Sequence, residues 1–229
     1  MKLDKVRLVK DPGFWIEENV FSELECSRIL ETLSHIKIKR SRAGARNLMA
    51  IPEIWNLSHD ARLLSICEKI IGRTMIAYKA TLFEKTGKAN WLVAFHQDTA
   101  VPLEENVRRD GWGPSSTKQG VNFVHAPTWA LSQILALRIQ LDDSTSGNGP
   151  LRVIPGSHHR RLKADDEFEV AAMSEKIVEC TAGKGSVIAM SPLLLHASSK
   201  ALNDNPRRVL HFEYAPDLQL GVGIRLAIS

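Results

Sequence analysis

The chain has 229 residues and a mass of 25.5 kDa, with 44% hydrophobic and 24% charged residues. That is close to the average of a globular protein and far from disordered or membrane compositions. A net charge of +4 and a pI near 9.0 are too mild to indicate nucleic-acid binding, and no basic stripe interleaved with stacking aromatics accompanies them.

In chain order, Met1 to Trp15 mixes Lys2, Asp4, Lys5, Arg7 and Lys10 among its apolar residues, so it lacks the unbroken apolar core of a signal peptide. No later stretch approaches the ~18 apolar residues of a membrane helix. Cys26, Cys67 and Cys180 are odd in number and widely spaced, which suggests neither a disulfide framework nor a zinc cluster. A cytoplasmic, reducing compartment is the expectation.

Phe21-Ser22-Glu23-Leu24-Glu25 reads as a helix start, with Ser22 as N-cap, Glu25 completing a capping box and Phe21 placed as a staple. The basic run Lys37, Lys39, Arg40, Arg42 and Arg46 is either a solvated surface or a grip on an anionic substrate. A second helix is predicted after Ser58 and up to Gly72, from the helical spacing of Leu63, Leu64, Cys67, Ile70 and Ile71.

From Thr74 onward short apolar runs alternate with turn residues such as Gly87, which predicts strands. They cover Met75 to Phe83, Trp91 to His96, Ile134 to Leu141, Leu151 to Ile154, Ile177 to Cys180, Ser186 to Met190, Leu193 to Ala197 and Arg208 to Tyr214. The fold class expected is mainly β with flanking α, a double-sheet jelly roll with N-terminal helices. One domain is predicted over residues 1–229, with a helical front over about 1–73 and a jelly-roll core over about 74–215. Residues 99–133 carry few strand or helix signals and read as a lid or binding loop, with Trp112, Lys118 and Trp129 as its test residues.

Chemistry concentrates in His96-Gln97-Asp98, at the end of an apolar strand. Residues i and i+2 of a strand share a face, so His96 and Asp98 project together while Gln97 turns away. A third ligand has to come from a distant strand, and His196, ending the run Leu193-Leu194-Leu195, is the best candidate. Two histidines and a carboxylate on one side of a metal form the pattern of non-haem Fe(II) oxygenases. Arg207 follows His196 by eleven positions and opens the next strand, where a guanidinium can clamp a carboxylate.

With these residues the sequence resembles the phytanoyl-CoA dioxygenase family of Fe(II)/2-oxoglutarate enzymes. The likeness lies in Phe95-His96-Gln97-Asp98, Leu141-Asp142-Asp143, Asn148 to His158, which contains Pro155-Gly156-Ser157-His158, and His196-Ala197-Ser198 leading to Arg207. The resemblance implies a double-stranded β-helix, Fe(II) on His96, Asp98 and His196, and 2-oxoglutarate with its distal carboxylate on Arg207. Ser198 matches a family position near the cosubstrate.

Arg138 stands where members acting on acyl-CoA usually carry tryptophan, so a CoA substrate is not implied. Arg138 either adds a second positive group to the 2-oxoglutarate pocket or pairs outside it with Asp142 or Asp143. Asp98 favours hydroxylation over halogenation, because iron halogenases of similar fold replace that carboxylate with a small residue. Of the rival histidines His158 and His159, the family likeness treats His158 as structural, and adjacent residues rarely both face one ion; His211 shares parity with Arg207 and can line the pocket. The expected activity is hydroxylation of a small molecule with O2, releasing succinate and CO2, with no nucleic-acid or membrane partner. A non-catalytic metal-containing metabolite-binding jelly roll and a nucleic-acid demethylase are the alternatives.

Overall fold

In the computed structural model the residues described are 12–41, 43–86, 89–162 and 176–229. The expectations that rest on Met1 to Asp11, Arg42 and Gly87 fall outside them. The predicted capping box forms: Ser22 Oγ accepts from Glu25 N at 3.3 Å, and Glu25 Oε2 accepts from Ser22 N at 2.8 Å. It opens α1 (Glu23–His35), which buries Cys26 and Leu33. A further helix, α2 (Pro52–Ser58), starts on a proline that needs no hydrogen-bond partner there. It takes the residues just before the predicted second helix, and α3 (Ala61–Ile71) therefore begins after an Asp60 cap and ends at Gly72, φ 82°.

These helices cover the outer face of a seven-stranded sheet. Its order is β1 (Phe14–Glu17), β12 (Val187–Met190), β9 (Leu135–Gln140), β14 (Arg207–Ala215), β4 (Ile76–Lys85), β3 (Gly44–Ala45) and β2 (Arg40–Ser41). The front of the chain is thus not purely helical, since it supplies both edges of this sheet. Alternation in β14 sends Leu210, Phe212 and Tyr214 into the core under the helices, and His211 and Glu213 into a cavity on the other face.

A four-stranded sheet lies opposite, in the order β11 (Val178–Cys180), β10 (Leu151–Val153), β13 (His196–Ser198), β5 (Val93–His96). Ala136, Ile188 and Met190 from the large sheet meet Leu151, Val153 and Cys180 from the small one in a shared apolar cluster. Two antiparallel sheets closed over one core form the predicted double-stranded β-helix. The strand expected from Leu193 begins only at His196. Leu194 N is taken by Ser191 O at 3.0 Å, closing a turn, and Leu195 N by Ser157 Oγ at 2.9 Å.

Residues 99–133, expected as a loop, contain a three-stranded sheet: β6 (Ala100–Leu103), β8 (Val121–His125) and β7 (Ser115–Lys118), in that order. The hairpin between β7 and β8 turns on Gln119 (φ 52°) and Gly120 (φ 82°), the paired left-handed residues that suit a two-residue connection. A short helix, α4 (Thr128–Leu131), closes the segment. The chain ends with a hairpin of β15 (Gln219–Gly221) and β16 (Ile224–Arg225), and Ser229 bonds back to Tyr78 and Ala80. Cys26, Cys67 and Cys180 are free and buried, and among the described residues no helix is long and apolar enough to cross a membrane.

Candidate metal centre

The register of the small sheet makes His96 and His196 direct cross-strand partners, although a hundred residues separate them in sequence. Asp98 is brought beside them where the chain leaves β5, its N–H donating to Pro192 O at 2.9 Å. Asp98 Oδ1 lies 3.6 Å from His96 Nε2, and Oδ2 lies 3.4 Å from His196 Nε2. One ligand atom from each of the three residues falls within 4.8 Å of the others. Metal–ligand bonds of ~2.1 Å bring neighbouring ligand atoms to ~3 Å, so the two Asp98 contacts need only a slight contraction.

Both imidazoles are oriented alike. His96 Nδ1 bonds Ala94 O at 2.9 Å and His196 Nδ1 bonds Leu194 O at 2.8 Å. A carbonyl only accepts, so Nδ1 of each ring carries a proton, and Nε2 is the nitrogen each ring turns toward Asp98 and the metal position. Loss of solvent would raise the Asp98 carboxyl, but the His196 and His96 imidazoles hold it well below the usual carboxylate range. Gln97 points away, as parity predicts, and ties the chain to Leu193 O and Arg160 O. His158 and His159 pack ring to ring at 4.3 Å in a helical turn and stay outside the triad.

Behind this group three cations are buried together. Arg207 and Lys85 are cross-strand partners on β14 and β4, exposed by 4% and 1%. Ser198 Oγ accepts from Lys85 Nζ at 2.8 Å and from Arg207 Nη2 at 3.3 Å, and donates to Gly149 O at 2.8 Å. Gly149, at φ 69°, permits this closeness, because a Cβ there would stand 2.9 Å from Lys85 Nζ. Arg138 faces inward, with Nη1 donating to His211 Nδ1 at 3.1 Å and its guanidinium 5.2 Å from the Phe83 ring. Pairing of Arg138 with Asp142 is thereby removed, since Arg208 holds both Asp142 oxygens at 2.7 Å.

The Nε atoms of Arg138 and Arg207 are buried with no hydrogen-bond partner, and neither residue makes an ion pair among the described residues. Burial, with Arg138 adding repulsion, brings Arg207 down to about 10; burial, with Arg207 adding repulsion, brings Lys85 down to about 8. Concentrated positive charge with unspent donors suits a buried carboxylate ligand. Lys85 lies two residues beyond Phe83, where the sequence pattern ends the expected strand. Extending the same parity by two residues places Lys85 beside Arg207.

Phe83 and His211 separate this pocket from a cavity of about 390 Å³ that opens onto His96 and Asp98. On its floor Glu213 accepts from Tyr78 Oη and Lys79 Nζ, both at 2.6 Å, and lies 3.4 Å from His211 Nε2. Burial opposes charge on Glu213, but Lys79 and His211 bring its pKa to about 2. His211 thus lines the pocket without joining the triad. Lys118 lines the cavity too, whereas Trp112 and Trp129 pack edge to face at 6.0 Å outside it.

Fold and site together define a double-stranded β-helix with two histidines and one carboxylate poised for a metal. The phytanoyl-CoA dioxygenase (PhyH) family profile matches residues 9–209, and the chain belongs to that family. L-Proline trans-4-hydroxylase from Streptomyces griseoviridis is 26% identical over 178 residues, covering 66% of this chain and 59% of the relative's length. EctD from S. alaskensis, in a crystal structure with 2-oxoglutarate and 5-hydroxyectoine, superposes with a TM-score of 0.70 at 20% identity, covering 94% of this chain and 76% of EctD. HygX from Streptomyces hygroscopicus, with nickel, 2-oxoglutarate and hygromycin B bound, gives 0.68 at 17% identity, covering 94% of this chain and 88% of HygX.

Proposed function

We propose that the chain is an Fe(II)- and 2-oxoglutarate-dependent dioxygenase that hydroxylates a small molecule, with O2 as co-substrate. The observation that carries this reading is the His96–Asp98–His196 group set in front of a buried cationic pocket that lacks a counter-anion among the described residues. Family membership supports it, as do the hydroxylase relative and the 2-oxoglutarate-bound neighbours of the same fold.

Bound iron, 2-oxoglutarate and O2 supply the oxidising chemistry, which yields succinate, CO2 and an alcohol. The chain's part is placement. His96, Asp98 and His196 would hold the metal, beside the cavity that opens onto His96 and Asp98. Arg207, Ser198, Lys85 and Arg138 receive the distal carboxylate of 2-oxoglutarate in a site poor in water, where each charge-assisted hydrogen bond counts for more. Phe83 and His211 form the wall between cosubstrate and substrate.

The test is succinate release by anaerobically iron-loaded protein on admission of air, with small metabolites screened for stimulation and mass spectrometry for a product heavier by one oxygen. His96→Ala and His196→Ala are expected to lose bound iron together with succinate. Variants that keep full iron occupancy, or wild-type protein that forms no succinate with any compound, sink the reading.

A further inference from the structure

The cavity above the metal ligands is lined by three side-chain cations, Arg46, Lys79 and Lys118, and by two carboxylates, Asp98 and Glu213. Asp98 belongs to the triad. Glu213 is consumed by Lys79, Tyr78 and His211, which leaves Lys79 neutralised as well. Arg46 and Lys118 remain, and neither has a carboxylate partner among the described residues.

Both residues are exposed at the cavity, and local backbone geometry sets where their side chains start. Lys118 ends β7 and pairs with Val121 across the two-residue turn at Gln119 and Gly120, which fixes its exit from the hairpin. Its ammonium stands 5.4 Å from the centre of the Phe123 ring, while Lys79 stands 5.7 Å from the same ring. Arg46 follows β3, whose Ala45 pairs with Leu82 of the interior strand β4, and Asn47 beyond it turns the chain at φ 59°. Desolvation, then Arg46 and Lys79, lower the Lys118 pKa against a smaller opposing pull from Asp98, so these like charges feel one another across the cavity.

We infer that the substrate of this site carries an oxyanion, a carboxylate or a phosphate, held by Arg46 and Lys118 while another part of the molecule faces the metal. This rests on the reading of the cavity as a substrate site, and it goes further by naming the chemical class. The guanidinium supplies a planar fork and the ammonium a point charge, a pair suited to an oxygen-rich anion. One member of the basic run noted in the sequence thus reaches the cavity, while Arg40 of the same run is spent on Glu84 at 3.0 Å.

Ligand-observed NMR on the purified protein, with no iron added, tests this independently of turnover. The probes are matched pairs: small carboxylic acids against their primary amides, and phosphate monoesters against their parent alcohols. Charged members are expected to receive saturation and neutral partners not, and the arm that binds more tightly names the group. Lys118→Ala and Arg46→Ala should each raise the half-saturating concentration about tenfold, with Lys118→Arg restoring most of the loss.

Neutral partners that bind as well as the anions, no binding by any charged probe, or unchanged binding in folded Lys118→Ala and Arg46→Ala would overturn it. Failure of the dioxygenase reading shows separately, as absence of iron-dependent succinate while the anion preference stands.

Discussion

Ser198 is the smallest side chain in the cationic pocket, yet both Lys85 and Arg207 donate to its one hydroxyl. A serine can accept from both cations only by giving its own proton elsewhere, and Gly149 O takes it. The pocket is therefore organised before any carboxylate arrives. Arg207→Ala is expected to weaken 2-oxoglutarate binding by roughly 2–5 kcal/mol, the usual cost of stranding one partner of a buried charge pair, and calorimetric titration reads it directly. Lys85 adds a pH dependence. Its pKa falls from 10.5 to about 8 in the folded chain, so between those values the unfolded chain holds a proton the folded one has released. The ligand-free protein should gain stability from this group as pH rises through that window. Affinity for 2-oxoglutarate should move the other way, declining above about pH 8 as the ammonium is lost. Titrations from about pH 7 to about pH 9.5 showing a flat affinity would remove Lys85 from the pocket.

At the scale of elements, strand parity is what the site uses and what the sequence discloses. His96 and Asp98 were legible as one face of a strand, and of the neighbours Arg207 and Arg208, only one of which can face inward, the spacing from His196 favours Arg207. The structure sends Arg207 to Ser198 and Arg208 to Asp142. The α1 cap was equally legible, because a capping box is written in adjacent residues. Ser22→Ala should cost about 1 kcal/mol of unfolding free energy in denaturant titration, leaving the metal centre untouched. What stayed hidden depended on distant partners. β6 is interrupted by Pro102, β7 is polar throughout and β8 is only five residues long, and the three are held by pairing with one another more than by local pattern. The Tyr78–Lys79–Glu213–His211 network joins two strands about 135 residues apart, and nothing local marks Glu213 as buried.

Across the whole molecule, the two sheets enclose like charges that burial penalises, and such a store of unpaired cations costs stability until an anion enters. Saturation with 2-oxoglutarate at about a hundred times its dissociation constant adds ~2.7 kcal/mol, which for a chain of this size raises the melting temperature by roughly 5–10 °C. Differential scanning fluorimetry reads this shift, and Arg207→Ala should abolish most of it. The pairing of His96 with His196 has a mechanical consequence. β5 lies at one edge of its sheet, bonded on one side only, with a register slip between His196 and Ser198. An ion shared by these two histidines rivets that loose margin to its neighbour, so amide exchange along Val93–His96 should slow sharply on metal loading while the interior strand β9 hardly responds.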